Sequence, residues 1–374
     1  MGEVNFEEAV CRMALMQVKG LGLAGCRTLI NAMGSAKAVF DYAGDLKSYV
    51  HGLSHEILSE ICDKKIFDKP KREIDFIVKN GIRILLDNEE DYPSRLRDCK
   101  DAPLYVFFKG NANLNSLHVV SIVGTRRSTD YGRNLCRDFV HELYGQCPET
   151  VIVSGLAYGI DIEAHRAALA DGMCTIGVMA HGLDRIYPLQ HRQTAVEMLE
   201  CGGLLTEYLS GTRPERFNFV QRNRIVAGLC DAVVVVESAL HGGALITASL
   251  ANGYNRECYA FPGRISDACS AGCNNLIAGN NAKLLTSASD FVKDMIWMNT
   301  SEMMKPRPVQ RQLFVELNDE EKRILDLLRD KGDMQINSLV LEAGIPVNRL
   351  VVMMFELEMK GVVQVLAGNV YKAI

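Results

Sequence analysis

Apolar side chains recur at spacings of three and four from residue 6 to residue 18, the period of a helix with one buried face. A Gly-rich break, Lys19-Gly20-Leu21-Gly22-Leu23-Ala24-Gly25, interrupts the pattern, and further helical stretches are predicted over 26–32, 36–42 and 54–79. From Ile82 the period changes. Apolar runs at 82–86 and 104–108 predict strands, separated by the irregular Asp91-Tyr92-Pro93-Ser94-Arg95-Leu96. Between 118 and 287, short β-branched runs at 118–123, 151–153, 175–179, 203–206, 232–236, 258–261 and 282–285 alternate with helical patterns. Most of these runs are apolar throughout, without the period-two alternation of a half-exposed sheet. Parallel strands covered by helices on both faces have that character, so the alternation predicts a doubly wound α/β sheet.

The C-terminal part starts afresh. Met303, Met304, Lys305, Pro306, Arg307 and Pro308 lie in an aperiodic stretch that reads as a linker. Asn318-Asp319-Glu320-Glu321 then opens a helix running through Leu328. A second helix covers 336–343 and stops at Gly344, and Pro346 opens a third over 347–360. Strands at 362–366 and 370–372 flank a Gly368-Asn369 turn. Three short helices and a hairpin predict a winged helix. The expected division is a helical domain at 1–80, an α/β domain at 81–297, a linker at 298–317 and a winged-helix domain at 318–374.

Composition narrows the function classes. The chain has 374 residues, of which 48% are hydrophobic, enough for a sizeable core and too many for disorder. No apolar run reaches the ~18–20 residues that span a bilayer. The acidic start, Met1 to Glu8, lacks the form of a signal peptide, and Phe6 stands where a myristoylation motif has Ser or Thr. A cytoplasmic protein without membrane attachment is expected. The net charge of −5 means that any nucleic-acid site must be a local basic patch on an acidic body. Most of the 12 cysteines sit singly in apolar segments, as free thiols do, and Cys269 and Cys273 lack further ligands at zinc spacing, so no metal is expected.

Five segments carry candidate chemistry. Ile122-Val123-Gly124-Thr125-Arg126-Arg127 is a strand entering a Gly turn ahead of a helix, a geometry that aims backbone N–H groups at anions. It lacks the three glycines of a dinucleotide fingerprint, and two guanidiniums at its mouth suit phosphate. Ser154-Gly155-Leu156-Ala157-Tyr158-Gly159-Ile160-Asp161 ends the next strand; its glycines allow tight bending beside a ligand. Asp161 and His165 share a helical face but have no third ligand in register, which favours a structural pair over a metal or acid–base site. Arg213-Pro214-Glu215-Arg216-Phe217-Asn218-Phe219-Val220-Gln221-Arg222-Asn223-Arg224 interleaves cations with rings, as single-stranded nucleic acid requires. The alternative is a solvated Arg-rich helix start with one Phe in the core, and the segment alone does not separate the two. His241-Gly242-Gly243-Ala244 and Ala260-Phe261-Pro262-Gly263-Arg264 are further strand–turn junctions. All these loops follow strands and should gather at one rim. No Walker lysine, Ser/His/Asp set or paired carboxylates appear among them.

In order, these residues resemble the DprA/Smf family of DNA-processing proteins. The resemblance rests on Ile122-Val123-Gly124-Thr125-Arg126, Ser154 to Asp161 with His165, and Gly182-Leu183-Asp184 with Tyr187-Pro188. It continues through Thr206-Glu207-Tyr208, Arg222-Asn223-Arg224-Ile225, Gly243 to Ala248, and Phe261-Pro262-Gly263, spanning about residues 82–290. It implies an extended Rossmann-like, doubly wound, mostly parallel sheet between a helix-hairpin-helix or SAM-like N-terminal domain and a winged helix. It also implies a non-enzymatic protein without cofactor that binds single-stranded DNA, forms a homodimer and loads the RecA recombinase in natural transformation and recombination. By position, Arg126 resembles the family's backbone-binding arginine, Arg216 stands where a DNA-contacting lysine is common, and Phe219 matches a base-stacking aromatic. The candidate DNA-binding set is Gly124, Thr125, Arg126, Arg127, Gly155, Tyr158, Gly159, Arg216, Phe219, Arg222, Asn223, Arg224, Gly242 and Gly243.

The chain departs from the family's pattern at Val220, where Pro is usual; at Leu189, where a basic residue is usual and Arg192 stands nearby; and at Asn281, where Gly is common. Val18-Lys19-Gly20-Leu21-Gly22 resembles a helix-hairpin-helix turn but reads better as a plain connector. The winged helix, acidic at its opening and poor in basic charge, is expected to contact protein rather than DNA. The alternative function is a nucleotide hydrolase of the phosphoribohydrolase type, although Pro262-Gly263 is followed by Arg264-Ile265 rather than a second Gly. A pure docking module is the third possibility.

Overall fold

The computed structural model describes residues 5–297, 317–366 and 370–373. The expected linker, apart from Leu317, and the Gly368-Asn369 turn lie outside them. By internal contacts the chain divides into two units, Met1–Thr300 and Ser301–Ile374.

The first unit is built on nine strands: β1 (Arg83–Leu86), β2 (Tyr105–Gly110), β3 (Val119–Val123), β4 (Val151–Ser154), β5 (Thr175–Val178), β6 (Gly202–Thr206), β7 (Ala232–Val235), β8 (Glu257–Ala260) and β9 (Lys283–Leu284). Their order is β1-β2-β6-β5-β4-β3-β7-β8-β9. Strands β3 to β9 are parallel, while β1 and β2 extend the β6 edge antiparallel. The chain steps outward from β3 to β6, then returns to lay β7 on the other side of β3. The winding direction therefore reverses between β3 and β7, where the loops leaving the two strands diverge and open a crevice.

Both faces of the sheet are covered, which explains the continuous apolar strands. Val119, Val123, Val151, Val153, Val233 and Val235 pack on one side with Ile225, Val226, Ala244 and Ala248 from the helices Arg216–Gly228 and Gly243–Gly253. Val120, Ile122, Ile152 and Val234 pack on the other with Phe139, Ala164 and Phe291. The buried hydroxyls of Ser121 and Ser154 donate to the carbonyls of Val226 (2.7 Å) and Ile122 (2.6 Å), so neither is left unpaired.

The N-terminal helices share a core with β1 and β2: Ala9, Met13, Leu29, Ile61 and Ile77 pack with Ile84, Leu86, Tyr105 and Phe107. The helical pattern predicted over 54–79 is broken into His55–Cys62, a short turn at Lys64–Phe67, and Asp68–Lys79. The break falls at Asp63, whose carboxylate accepts from the Lys65 amide (3.0 Å) and draws the backbone out of helix. In the Gly-rich connector between Phe6–Leu15 and Gly22–Met33, the Lys19 amide donates to Glu60 (2.7 Å), so this N–H is engaged within the chain.

The second unit consists of the helices Asp319–Lys331, Ile336–Ala343 and Val347–Met359, with a three-stranded antiparallel sheet of Met334–Gln335, Val370–Ala373 and Val363–Leu366 in that order. Asn318 and Glu321 form a reciprocal capping box at its first helix. This is a winged helix, as the sequence predicts. Among the described residues no single helix is long and apolar enough to cross a membrane.

Candidate nucleic-acid interface

The crevice between β3 and β7 opens into a groove of about 1040 Å³. It is lined by the β3 loop (Gly124 to Arg127), the start of the helix Arg216–Gly228, and the β7 loop running into the helix Gly243–Gly253. The loops hold one another. The Thr125 amide donates to the Glu237 carbonyl (2.7 Å), joining the two sides of the crevice. The buried Glu237 carboxylate accepts from the Thr129 amide (2.9 Å) and hydroxyl (2.7 Å), and Thr129 caps the helix Asp130–Gln146. The β4 loop packs beneath: Ile160 donates to the Thr125 carbonyl (3.2 Å).

The glycines of the β4 loop serve this packing. Gly159 has φ +79°, and a Cβ there would lie 2.1 Å from the Thr125 carbonyl oxygen. At Gly155 a Cβ would lie 2.4 Å from the Arg222 guanidinium. Both positions were expected to bend beside a ligand; their close neighbours are the adjoining loop and a buried arginine.

Arg222 is only 3% exposed, at the groove floor. Its Nη1 donates to the carbonyls of Gly155 (2.7 Å) and Val178, tying the ends of β4 and β5, while its buried Nε has no partner among the described residues. Burial holds the Asp161 carboxyl above the usual carboxylate range, opposed by the charges of Arg222 and Arg126 and by the backbone amides of Ala157 and Gly155. His165 is fully buried: its Nδ1–H donates to Thr175 Oγ1 (2.7 Å), whose hydroxyl donates onward to the Ile152 carbonyl (3.0 Å). Burial drives its pKa down to about 3. Asp161 and His165 are thus committed to separate structural partners.

The exposed chemistry lies above this floor. The Arg126 guanidinium carbon sits 4.9 Å from the Phe219 ring centre, in cation–π range. Tyr187, from the β5–β6 connection, meets the same ring at 5.8 Å with the planes tilted by 53°. Arg126, Arg127 and Arg216 are exposed, and none forms an ion pair among the described residues. Asn223 bridges the groove wall, donating to the Gly243 carbonyl (3.3 Å). Gly242 and Gly243 stand at the N-terminus of the helix Gly243–Gly253.

The structure therefore gathers Gly124, Thr125, Arg126, Arg127, Arg216, Phe219, Arg222, Asn223, Gly242 and Gly243 in one groove. Four candidates lie off it. Gly155 and Gly159 support its floor. Tyr158 donates to Gln190 (2.9 Å) and packs edge-on against His191. Arg224 points away, paired with Glu207 and donating to the Asp101 carbonyl (2.8 Å), so its charge is neutralised within the fold. Sequence reasoning missed Tyr187 and Leu240 as lining residues, while His241 lines the groove from a segment already singled out. Tyr187-Pro188 stood out in the sequence, but nothing local tells that its ring meets Phe219.

Fold and site together define an α/β protein of extended Rossmann-like type, with a cationic, ring-bearing groove at its topological switch point and a winged helix on the same chain. Comparison with known proteins specifies the class further. The model of the DNA recombination-mediator protein A family matches residues 83–296, and that of the DprA winged helix domain matches 309–369. The chain belongs to the DprA/Smf family of DNA-processing proteins. It is 40% identical over 206 residues to the DNA processing protein DprA of Streptococcus pneumoniae, covering 55% of this chain and 72% of that one. Protein Smf of Escherichia coli is 33% identical over 287 residues, 75% of each chain. The X-ray structure of the Streptococcus pneumoniae protein superposes with a TM-score of 0.59 at 32% identity, over 78% of this chain and 98% of that one. A structure of the Helicobacter pylori DNA processing protein A, described for its single-stranded DNA binding mode, superposes with a TM-score of 0.52 at 30% identity, over 58% and 96%.

Proposed function

We propose that this chain binds single-stranded DNA in the switch-point groove and delivers it to the RecA recombinase, acting as a homodimer and without covalent catalysis. The observation that carries the reading is the Arg126 guanidinium lying over the Phe219 ring, flanked by Tyr187 and by Arg127 and Arg216, which form no ion pair among the described residues. A single strand presents phosphates and uncovered base faces together, whereas a duplex hides the faces. Cations beside a partly exposed ring suit the first substrate. The single-strand binding of the Helicobacter pylori relative supports the ligand, and the family's description as a recombination mediator supports the delivery. Arg222, buried and bonded, shapes the floor, and Arg224 takes no part.

The hydrolase alternative finds little support. The Gly263 amide donates to Asn274 Oδ1 (3.1 Å), and Asn274 Nδ2 donates back to the Gly263 carbonyl (3.0 Å), so the Pro262-Gly263 turn does not offer its N–H to a phosphate. Filter binding to single- and double-stranded oligonucleotides across a salt gradient tests the reading. Preference for single strands is expected, with log affinity falling by about 0.7 per phosphate neutralised. Equal retention of both forms would remove it. Delivery is tested separately, by whether the protein accelerates assembly of RecA on a single strand already coated by another binding protein.

A further inference from the structure

Of the twelve cysteines, eight are buried, and solvent reaches Cys62, Cys174, Cys201 and Cys269. A thiol buried in apolar surroundings is inert, so oxidation starts at these four. Two of them meet. The Sγ atoms of Cys174 and Cys201 lie 3.5 Å apart, in contact, although the residues are distant in sequence.

The fold holds both backbones in place. Cys174 immediately precedes β5 and Cys201 immediately precedes β6, and these strands run parallel with Thr175 beside Gly202. The Thr175 amide donates to the Cys201 carbonyl (3.2 Å), and the Ile152 amide donates to the Cys174 carbonyl (3.0 Å). Asn111 brackets Cys201: its Nδ2 donates to the Glu200 carbonyl (2.6 Å) and its Oδ1 accepts from the Gly202 amide (3.0 Å). At Gly202 (φ +139°) a Cβ would lie 1.9 Å from the Thr175 carbonyl oxygen, so a glycine is what lets the strands approach here. Neighbouring strands stand about 4.7–4.9 Å apart, inside the range of about 4.4–6.8 Å between the Cα atoms of a disulfide. Bringing the sulfurs to bonding distance therefore takes side-chain rotation and does not part the strands. The partners differ in reach. Burial, with the contact to Cys201 adding to it, pushes the Cys174 thiol up to about 11 and keeps it protonated. Cys201 Sγ lies on the exposed side of the pair, 3.6 Å from the Gly172 carbonyl.

We propose that Cys174 and Cys201 are a dithiol that a peroxide converts to a disulfide, clamping the entry ends of β5 and β6. The Cys201 thiolate attacks one oxygen of hydrogen peroxide, the O–O bond breaks, and Cys201 becomes a sulfenic acid. The second oxygen leaves as hydroxide and takes up the proton that Cys201 gave up. The Cys174 sulfur then attacks the Cys201 sulfur, the S–O bond breaks, and the Cys174 proton departs with that hydroxyl as water. Two thiols thus lose two electrons and one peroxide is reduced to two waters. The closed ring takes in residues 175–200, Tyr187 among them. The pair lies at the opposite end of the parallel strands from the groove, so this chemistry and the DNA reading stand or fall separately.

Peptide mass spectrometry of the full-length protein tests this, after treatment with hydrogen peroxide and blocking of the remaining thiols with N-ethylmaleimide. Peptides joined at Cys174 and Cys201 are expected, and dithiothreitol should return both residues as free thiols. In Cys174→Ser the oxidation should stop at the sulfenic acid, so that dimedone labels Cys201, whereas in the wild-type chain Cys174 consumes that acid first. In Cys201→Ser, Cys174 should stay open to alkylation. Oxidised wild-type protein should unfold at a higher denaturant concentration than reduced protein, because the cross-link restricts the unfolded chain, and Cys201→Ser should show no such shift. Exposed Cys62 reports that the oxidant acted. Oxidation of Cys62 with Cys174 and Cys201 still separately alkylated overturns the proposal, as does a joined pair that forms only after the protein is unfolded. A denaturation midpoint unmoved by the disulfide overturns the clamp.

Discussion

Phe219→Ala removes the ring on which Arg126 rests, and it tests the proposed groove most directly. In the folded protein the ring is partly buried, with Arg126 at 4.9 Å and Tyr187 at 5.8 Å from its centre. Losing one base-stacking platform costs about 1–3 kcal/mol, which is roughly a 5- to 150-fold rise in Kd. A second effect is smaller. Without the ring, Arg126 loses a cation–π contact of about 0.5–1 kcal/mol that holds its guanidinium over the groove. Arg126→Ala and Phe219→Ala should therefore be less than additive, by about that amount, in a double-mutant cycle. Fluorescence anisotropy with a labelled oligonucleotide at several salt concentrations reads both terms. Phe219→Ala should shift the log Kd line upward while leaving its salt slope nearly intact, because a ring neutralises no phosphate. A Phe219→Ala Kd within twofold of wild type, or full additivity with Arg126→Ala, would show that the stack seen in the free protein is not used to hold DNA.

Other substitutions separate binding from stability. Arg126→Ala and Arg216→Ala should each flatten the salt slope by about 0.7 and weaken all sequences alike, whereas Arg224→Ala, whose charge is spent on Glu207, should leave the slope unchanged in the same assay. Arg222→Ala would strand the carbonyls of Gly155 and Val178 and remove a charge next to buried Asp161; a loss of about 3–5 kcal/mol, read by chemical denaturation, is expected. His165 titrates near pH 3 when folded and near its ordinary value when unfolded, so the unfolded chain binds the extra proton between those limits. Its stabilising contribution is thus complete above about pH 6.5 and is lost as pH falls toward 3, by about 1.4 kcal/mol per unit. His165→Gln should reduce the slope of unfolding free energy against pH by about one proton between pH 6 and 4; an unchanged slope would refute the assignment.

The periodicity of the chain contained most of the architecture. Strand positions agree with the apolar runs to within two residues because a strand buried on both faces has nowhere to put a polar side chain. Periodicity predicts an unbroken helix over 54–79 because Asp63 and the residues after it preserve helical spacing, while a local side-chain bond breaks the backbone there. The Arg-rich segment was ambiguous for another reason. The helix Arg216–Gly228 is polarised along its length, exposed at its start and buried from Ile225 onward, so no periodic pattern around its axis shows which side chains face a ligand.

What the residues alone determined is the layer architecture, the winged helix and the convergence of strand-end loops on one rim, since these follow from local spacing and from the direction of parallel strands. What only the tertiary structure decided is the division of labour among similar side chains. Arg126, Arg216, Arg222 and Arg224 are chemically identical, yet two face the groove, one is sealed beneath it by carbonyls and one is neutralised behind it. A guanidinium's availability depends on which acceptors the fold brings within reach, and Glu207, Gly155 and Val178 reach these arginines only through contacts distant in sequence.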